Sequence, residues 1–185
     1  KDVSPLQGTV LTSIENTDLI NKSLAQKISV SGSVLHTYRL AVATTGEYTQ
    51  FHGGTVELGL AAIVTLVNRL NEVFQTDLGI SLQLVADNDQ LVFTNSSTDP
   101  FSNNDDDGDI NTGVINGIIG STNYDVGHVV TTGGGGLAVL GGVCSSFFKG
   151  DGVTGLPNPT GDSFYIDYEV IGTVNNFYQL ALKIK

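Results

Sequence analysis

The stretch that most restricts the fold runs from His36 to Val85, where one apolar period gives way to another and then returns. Tyr38-Arg39-Leu40-Ala41-Val42-Ala43-Thr44 is a compact apolar run, the pattern of a strand covered on both faces. After Gly53-Gly54, Thr55 is placed to cap a helix. Val56, Leu60, Ile63, Val64, Val67, Leu70 and Phe74 then recur at helical spacing and give that helix one apolar face. Gly79 marks the exit, and Ile80-Ser81-Leu82-Gln83-Leu84-Val85 alternates with period two before an Asp87-Asn88-Asp89 turn. Strand, helix, strand implies a parallel pair joined by a crossover, so the chain is expected to be α/β.

The pattern continues with less force. Residues 91–94 read as a third strand, paired to the second or set at the margin, and residues 95–109 as a polar loop crowded with Asp105, Asp106, Asp107 and Asp109. A shorter helix is expected over 109–119 with Ile110, Val114, Ile115 and Ile118 inward. Residues 124–131 read as another buried strand. Gly133 to Gly136 then turn the chain into the apolar run 137–143, a candidate edge strand. Beyond Cys144 the sequence reads as turn-rich through Gly155-Leu156-Pro157-Asn158-Pro159, with a further segment at 163–168. Residues 1–35 are expected to be a pro-segment or linker.

Length and composition set the class. A chain of 185 residues, 40% of them apolar, can bury one real core and is too hydrophobic to stay unfolded. Its formal charge is −11, and its 8 basic residues are scattered singly, so no stripe exists to neutralise phosphates or anionic lipid. Nucleic acid and membrane partners are disfavoured, and the longest apolar runs are far shorter than the roughly 20 residues a spanning helix needs. The chain begins at Lys1 and holds no methionine, so the expectation is a piece of a longer precursor, exported and extracellular.

Candidate chemistry is sparse. His36, His52 and His128 are far apart and lack the i, i+4 spacing that sets two imidazoles on one helix face, and no HExxH occurs. His128, inside an expected buried strand, is expected to bond a neighbouring backbone group. Asn103, Asp105, Asp107 and Gly108 imitate the opening of a calcium loop, but Val114 stands where its bidentate glutamate belongs. Ca²⁺ held by Asp105, Asp107 and Asp109 competes with a solvated acidic loop. Carboxylate pairs such as Asp162 with Asp167 are uninformative. Cys144 cannot form an internal disulfide: it is either a buried thiol or one whose partner lies elsewhere. An edge strand of Gly136, Leu137, Ala138, Val139 and Leu140 could hydrogen-bond an extended peptide as an added strand, or be protected by the loop that follows.

The runs TYRLAVATTGEYTQFHGG at 37–54, AAIVTLVNRLNEVF at 61–74, YDVGHVVTTGGGGLAVLGGVC at 124–144 and KGDGVTGLPNPTGDSFYIDY at 149–168 resemble bacterial reprolysin-like metallopeptidases, relatives of the adamalysins within the metzincins. The resemblance implies that residues 36–168 are the upper subdomain of such an enzyme. That subdomain is a twisted, mostly parallel sheet with an antiparallel edge strand and two main helices. It also implies that Gly136, Leu137, Ala138 and Val139 align the backbone of a peptide or protein substrate, and that Cys144 pairs with a cysteine further along. The family continues after IDY into HExxHxxGxxH, whose histidines hold Zn²⁺ and whose glutamate is the general base. In register those positions are Ile171, Gly172, Asn175, Tyr178 and Ala181, so residues 169–185 are a divergent tail without zinc ligands or base. The expectation is a secreted zinc metalloendopeptidase domain that is inactive as given, through truncation, frameshift or loss in a paralogue. The alternative is a non-catalytic peptide-binding module using the edge strand 136–143.

Overall fold

The computed structural model describes residues 34–160. The expectations for 1–33, for the strand at 163–168, for Asp162 and Asp167, and for the tail at 169–185 lie outside those residues. The described elements are β1 (His36–Thr44), α1 (Gly46–Phe51), α2 (Val56–Val73), β2 (Ile80–Leu84), α3 (Asp107–Ile118), β3 (Val126–Thr131), β4 (Gly135–Ala138) and β5 (Gly152–Gly155).

The five strands form one sheet in the order β2-β1-β3-β5-β4. All neighbours are parallel except β4, which runs antiparallel to β5 at the rim. β1 is paired on both sides, and its residues 40–44 are apolar or small on both faces. Leu40 and Val42 join a cluster with Ile63, Leu66, Leu70 and Phe74 of the α2 side, while Ala41 and Ala43 join Phe101, Ile115, Val129 and Val153 on the opposite side. Burying each large side chain contributes roughly 1.5–3 kcal/mol.

The long helix begins as expected: Thr55 is extended, and its hydroxyl accepts from the Leu58 amide at 3.3 Å. It runs into one π turn, Phe74–Leu78, and stops at Gly79, whose φ of 66° suits glycine. Val64 faces outward, whereas Leu66 is buried. Sequence reasoning did not single out α1, the helix that Thr45 caps through the Tyr48 amide.

Four expectations need correction. Residues 91–94 do not form a strand. A 3₁₀ turn occupies Asn88–Leu91, and only Val92 bridges to Thr44. The reason is Asn88, whose buried amide accepts from Val42 N–H at 2.7 Å and donates to Val42 C=O at 3.0 Å, taking the place of a strand neighbour. The inner face of α3 is also mixed: Gly108, Asn111, Thr112 and Ile115 are buried, while Ile110 and Ile118 are exposed. Asn111 Nδ2 donates to Gly150 C=O at 2.8 Å and Thr112 Oγ1 donates to the Asp151 carboxylate, so this face is fastened to the segment entering β5.

The third correction is β5, a strand that interrupts the expected turn-rich passage. Its residues are Gly-Val-Thr-Gly and all four are buried. It separates β4 from β3, so the edge strand lies one position further out than a direct β3 partner would. Finally, β4 covers Gly135–Ala138 rather than 137–143, and the glycines read as a turn supply its first two residues.

Candidate functional site

Thr131 ends β3, Thr132 and Gly133 begin the turn, and β4 starts at Gly135 with φ of 102°. The β4–β5 register pairs Gly136 with Thr154 and Leu137 with Val153. Continuing it sets Val139 opposite Asp151, and Val139 N–H does donate to Asp151 C=O at 3.3 Å. Hydrogen-bonded pairs alternate in an antiparallel ladder, so Leu137 and Gly135 turn their backbone groups toward β5 while Gly136 and Ala138 turn theirs outward. Among the described residues β4 has no strand on its other side. Of the four expected substrate-binding residues, Gly136 and Ala138 thus present the open donors and acceptors. Leu137 and Val139 face β5 with their backbone N–H groups and leave partly exposed side chains.

The loop between β4 and β5 is fixed from below. Buried Lys149 donates Nζ–H to the carbonyls of Ser121 and of Tyr124, and sits 4.0 Å from the Tyr124 ring centroid. The Tyr124 hydroxyl donates to Asn116 Oδ1 at 2.9 Å, and burial, helped by the nearby Asp151 charge, pushes its pKa up to about 12. In contrast Leu140 and Phe147, on the same loop, are each 76% exposed.

Cys144 is exposed and free, which corrects the buried-thiol expectation. Its φ is 60°, and its N–H donates to Asp125 C=O at 2.8 Å, so the backbone holds the side chain at the surface. Partial burial of the sulfur and the Asp125 charge push the thiol pKa up, against a nucleophilic thiolate.

The histidines do not converge on a metal. His128 is fully buried and its Nε2 lies 2.8 Å from Thr154 Oγ1. Burial lowers its pKa to about 3, so the ring is neutral. His52 packs on Tyr48 with ring centroids 4.5 Å apart. Among the described residues no group of three or more His, Cys, Asp or Glu side chains is placed to hold a metal ion. They do not fit zinc. The acidic loop is likewise committed elsewhere: Asp107 is buried and accepts from the amides of Ser102 at 2.6 Å and Asn104 at 3.1 Å. Asp105 stands beside Gly135, and Asp109 lies in the first turn of α3, so Asp105, Asp107 and Asp109 are not gathered around one point.

Two residues to which sequence reasoning gave no such role organise this end of the sheet. Asp99 accepts from Gly46 N–H at 2.7 Å, the amide that opens α1. Asn103 accepts from Thr132 N–H at 2.9 Å and from Thr45 Oγ1–H at 3.1 Å. The carboxyl ends of β1 and β3, where an α/β sheet commonly takes a ligand, are therefore occupied by the chain's own loop. The only signal was the density of Asn and Asp in that loop. A hollow of about 290 Å³ lined by Arg39, Gln83, Leu84, Asp87, Ile119 and Asn123 lies beside β2. Its guanidinium is already engaged by Asp125 at 2.7 and 3.0 Å and by the Thr122 carbonyl.

A mostly parallel five-stranded sheet with one antiparallel edge strand and two main helices defines an α/β domain of metzincin-like type. The sequence profile of the family described as Metallo-peptidase family M12B Reprolysin-like matches residues 34–172, and the chain belongs to that family. Its members are zinc-dependent hydrolases of peptide bonds, many of them extracellular. Comparison with curated proteins finds no match. No helix among the described residues is long and apolar enough to cross a membrane.

Proposed function

We propose that this chain is the substrate-aligning part of a secreted, bacterial-type reprolysin-like zinc metalloendopeptidase, and that these 185 residues do not themselves hydrolyse peptides. The observation that carries the first part is the edge strand, whose outward groups at Gly136 and Ala138 match the main-chain groups of an extended peptide. Each such hydrogen bond contributes about 0.5–1.5 kcal/mol net, so affinity rests on several bonds together with apolar contact at Leu137. Gly136 offers no side chain to hold a peptide off. The second part is supported by the residues in the zinc-motif register, Ile171, Gly172, Asn175, Tyr178 and Ala181, none of which supplies an imidazole or carboxylate.

Zinc per chain measured alongside casein hydrolysis tests the second part. The expected result is substoichiometric zinc and no metal-dependent cleavage; tight one-to-one zinc or clear cleavage would overturn it. Capture from a peptide library by the native chain and by Ala138→Pro tests the first. Proline removes an outward N–H without touching the β5 ladder, so capture should drop at least about tenfold. Equal capture by both forms would sink the edge reading. Peptide capture without zinc is also what a non-catalytic peptide-binding module using 136–143 would show, and the same edge supports that second reading.

A further inference from the structure

We propose that Asn103 is a positioning residue for the edge strand, its carboxamide fixing the turn out of β3 and so the place where Gly136 and Ala138 present their outward groups. The inference rests on the edge-strand reading above and adds a residue about thirty positions upstream in sequence.

Asn103 sits in the left-handed region at φ 55°, where asparagine is tolerated better than most residues. That conformation directs its side chain at the ends of two parallel strands. Oδ1 accepts from Thr132 N–H at 2.9 Å, from Gly133 N–H at 3.3 Å and from Thr45 Oγ1–H at 3.1 Å, while Nδ2 donates to Thr132 Oγ1 at 3.0 Å. One amide therefore ties the residue after β1, the residue after β3 and the first glycine of the turn.

The backbone is packed equally closely. A β-carbon on Gly133 would stand 2.0 Å from the Asn103 carbonyl oxygen, and one on Gly155 would stand 2.3 Å from the Gly133 carbonyl oxygen. Loop, turn and β5 are thus in main-chain contact, with no side chain between them to absorb a shift. Gly134 alone separates this junction from the first residue of β4. Any displacement of the turn passes directly into the edge strand. Gly133 N–H also reaches Thr131 Oγ1 at 2.8 Å, whereas Thr132 N–H is held by Asn103 Oδ1, so deleting the amide frees the turn at that residue.

Amide hydrogen exchange on the full chain, free of ligand, tests this with two variants. Asn103→Gly keeps the left-handed backbone and removes the side chain. Asn103→Asp restores the acceptor. In Asn103→Gly the Leu137 and Val139 amides, which face β5, should exchange at least about tenfold faster, while Val42 and Val129 in the sheet centre keep their native rates. Asn103→Asp should recover most of that protection. Peptide capture should follow the same order, weakened in the Gly variant and regained in the Asp variant. Unchanged exchange in Asn103→Gly would overturn the proposal, and so would uniform acceleration across the sheet, which would mark the residue as a general stabiliser. If the native chain captures no peptide, the edge reading falls, while the exchange rates still decide whether Asn103 places β4.

Discussion

The two sides of the sheet are held by different physics. On the β2-β1-β3 side, large side chains from α2 lock into the sheet, and Leu40, Ile63, Leu70 and Phe74 are wholly buried. On the β5-β4 side the strands are four residues each, glycine fills half of their eight positions, and beyond the buried Val153 they are held by specific polar contacts. Asn103, Thr112, Asn111 and Lys149 each satisfy particular backbone or side-chain groups there. An apolar interior tolerates nothing large moving, whereas a rim built on single hydrogen bonds can be adjusted one residue at a time. The rim is accordingly the place where a partner strand could be accepted.

Acid gives the largest expected effect, and it strikes at the seam between the two sides. His128 on β3 is held neutral down to a pKa of about 3, while in the unfolded chain it protonates near 6.5. The unfolded state therefore binds more protons between those values. The contribution of this ring to stability is whole above pH 6.5 and is lost as pH falls from there to about 3, on the order of 5 kcal/mol in all. Asp125, held below the usual carboxylate range chiefly by its hydrogen bonds from Arg39, adds acid sensitivity of the same sign. Urea midpoints measured from pH 7 to pH 4 should fall, and His128→Asn should fall less steeply.

Within the apolar side, Leu70→Ala should cost roughly 2–5 kcal/mol in urea unfolding and leave native-state exchange at Leu137 unchanged. Coupling between the two would erase the contrast drawn above. Asn88→Ala should cost about 2–3 kcal/mol, because it strands the N–H and C=O of Val42 in the core. Ala138→Pro should alter unfolding free energy by less than about 1 kcal/mol while lowering peptide capture, which separates rim function from fold. The smallest effect expected is from calcium: millimolar Ca²⁺ should move the melting temperature by less than about 1 °C, since Asp107 is committed to two backbone amides.

The apolar side was largely legible in the sequence because burial there imposes a period. Helical spacing located α2, alternation located β2, and the run at 40–44 gave a strand buried on both faces. At the rim an edge strand was expected, but β5 was not, since Gly152 and Gly155 carry no side chain and Val153 and Thr154 are too few to set a period. What makes β5 a strand is its place between β3 and β4, a tertiary fact. Likewise, Ile110 and Ile118 misled the reading of α3 because Asn111 and Thr112, polar in isolation, are buried by their bonds to Gly150 and Asp151. The site residues Gly136 and Ala138 were within reach of pattern reading, but the alternation that separates them from Leu137 and Val139 needed the register with β5. Asn103 was noticed only as part of a cation-loop imitation.

That alternation sets a stride. Strand residues rise about 3.4 Å each, so the two outward positions stand roughly 7 Å apart, a step that only a stretched polypeptide can match. A coiled segment advancing about 1.5 Å per residue would miss the second position after meeting the first. A visitor slipped by one residue would also turn its side chains over to the wrong face. The rim therefore measures the shape of a guest's main chain before it samples any of its side chains.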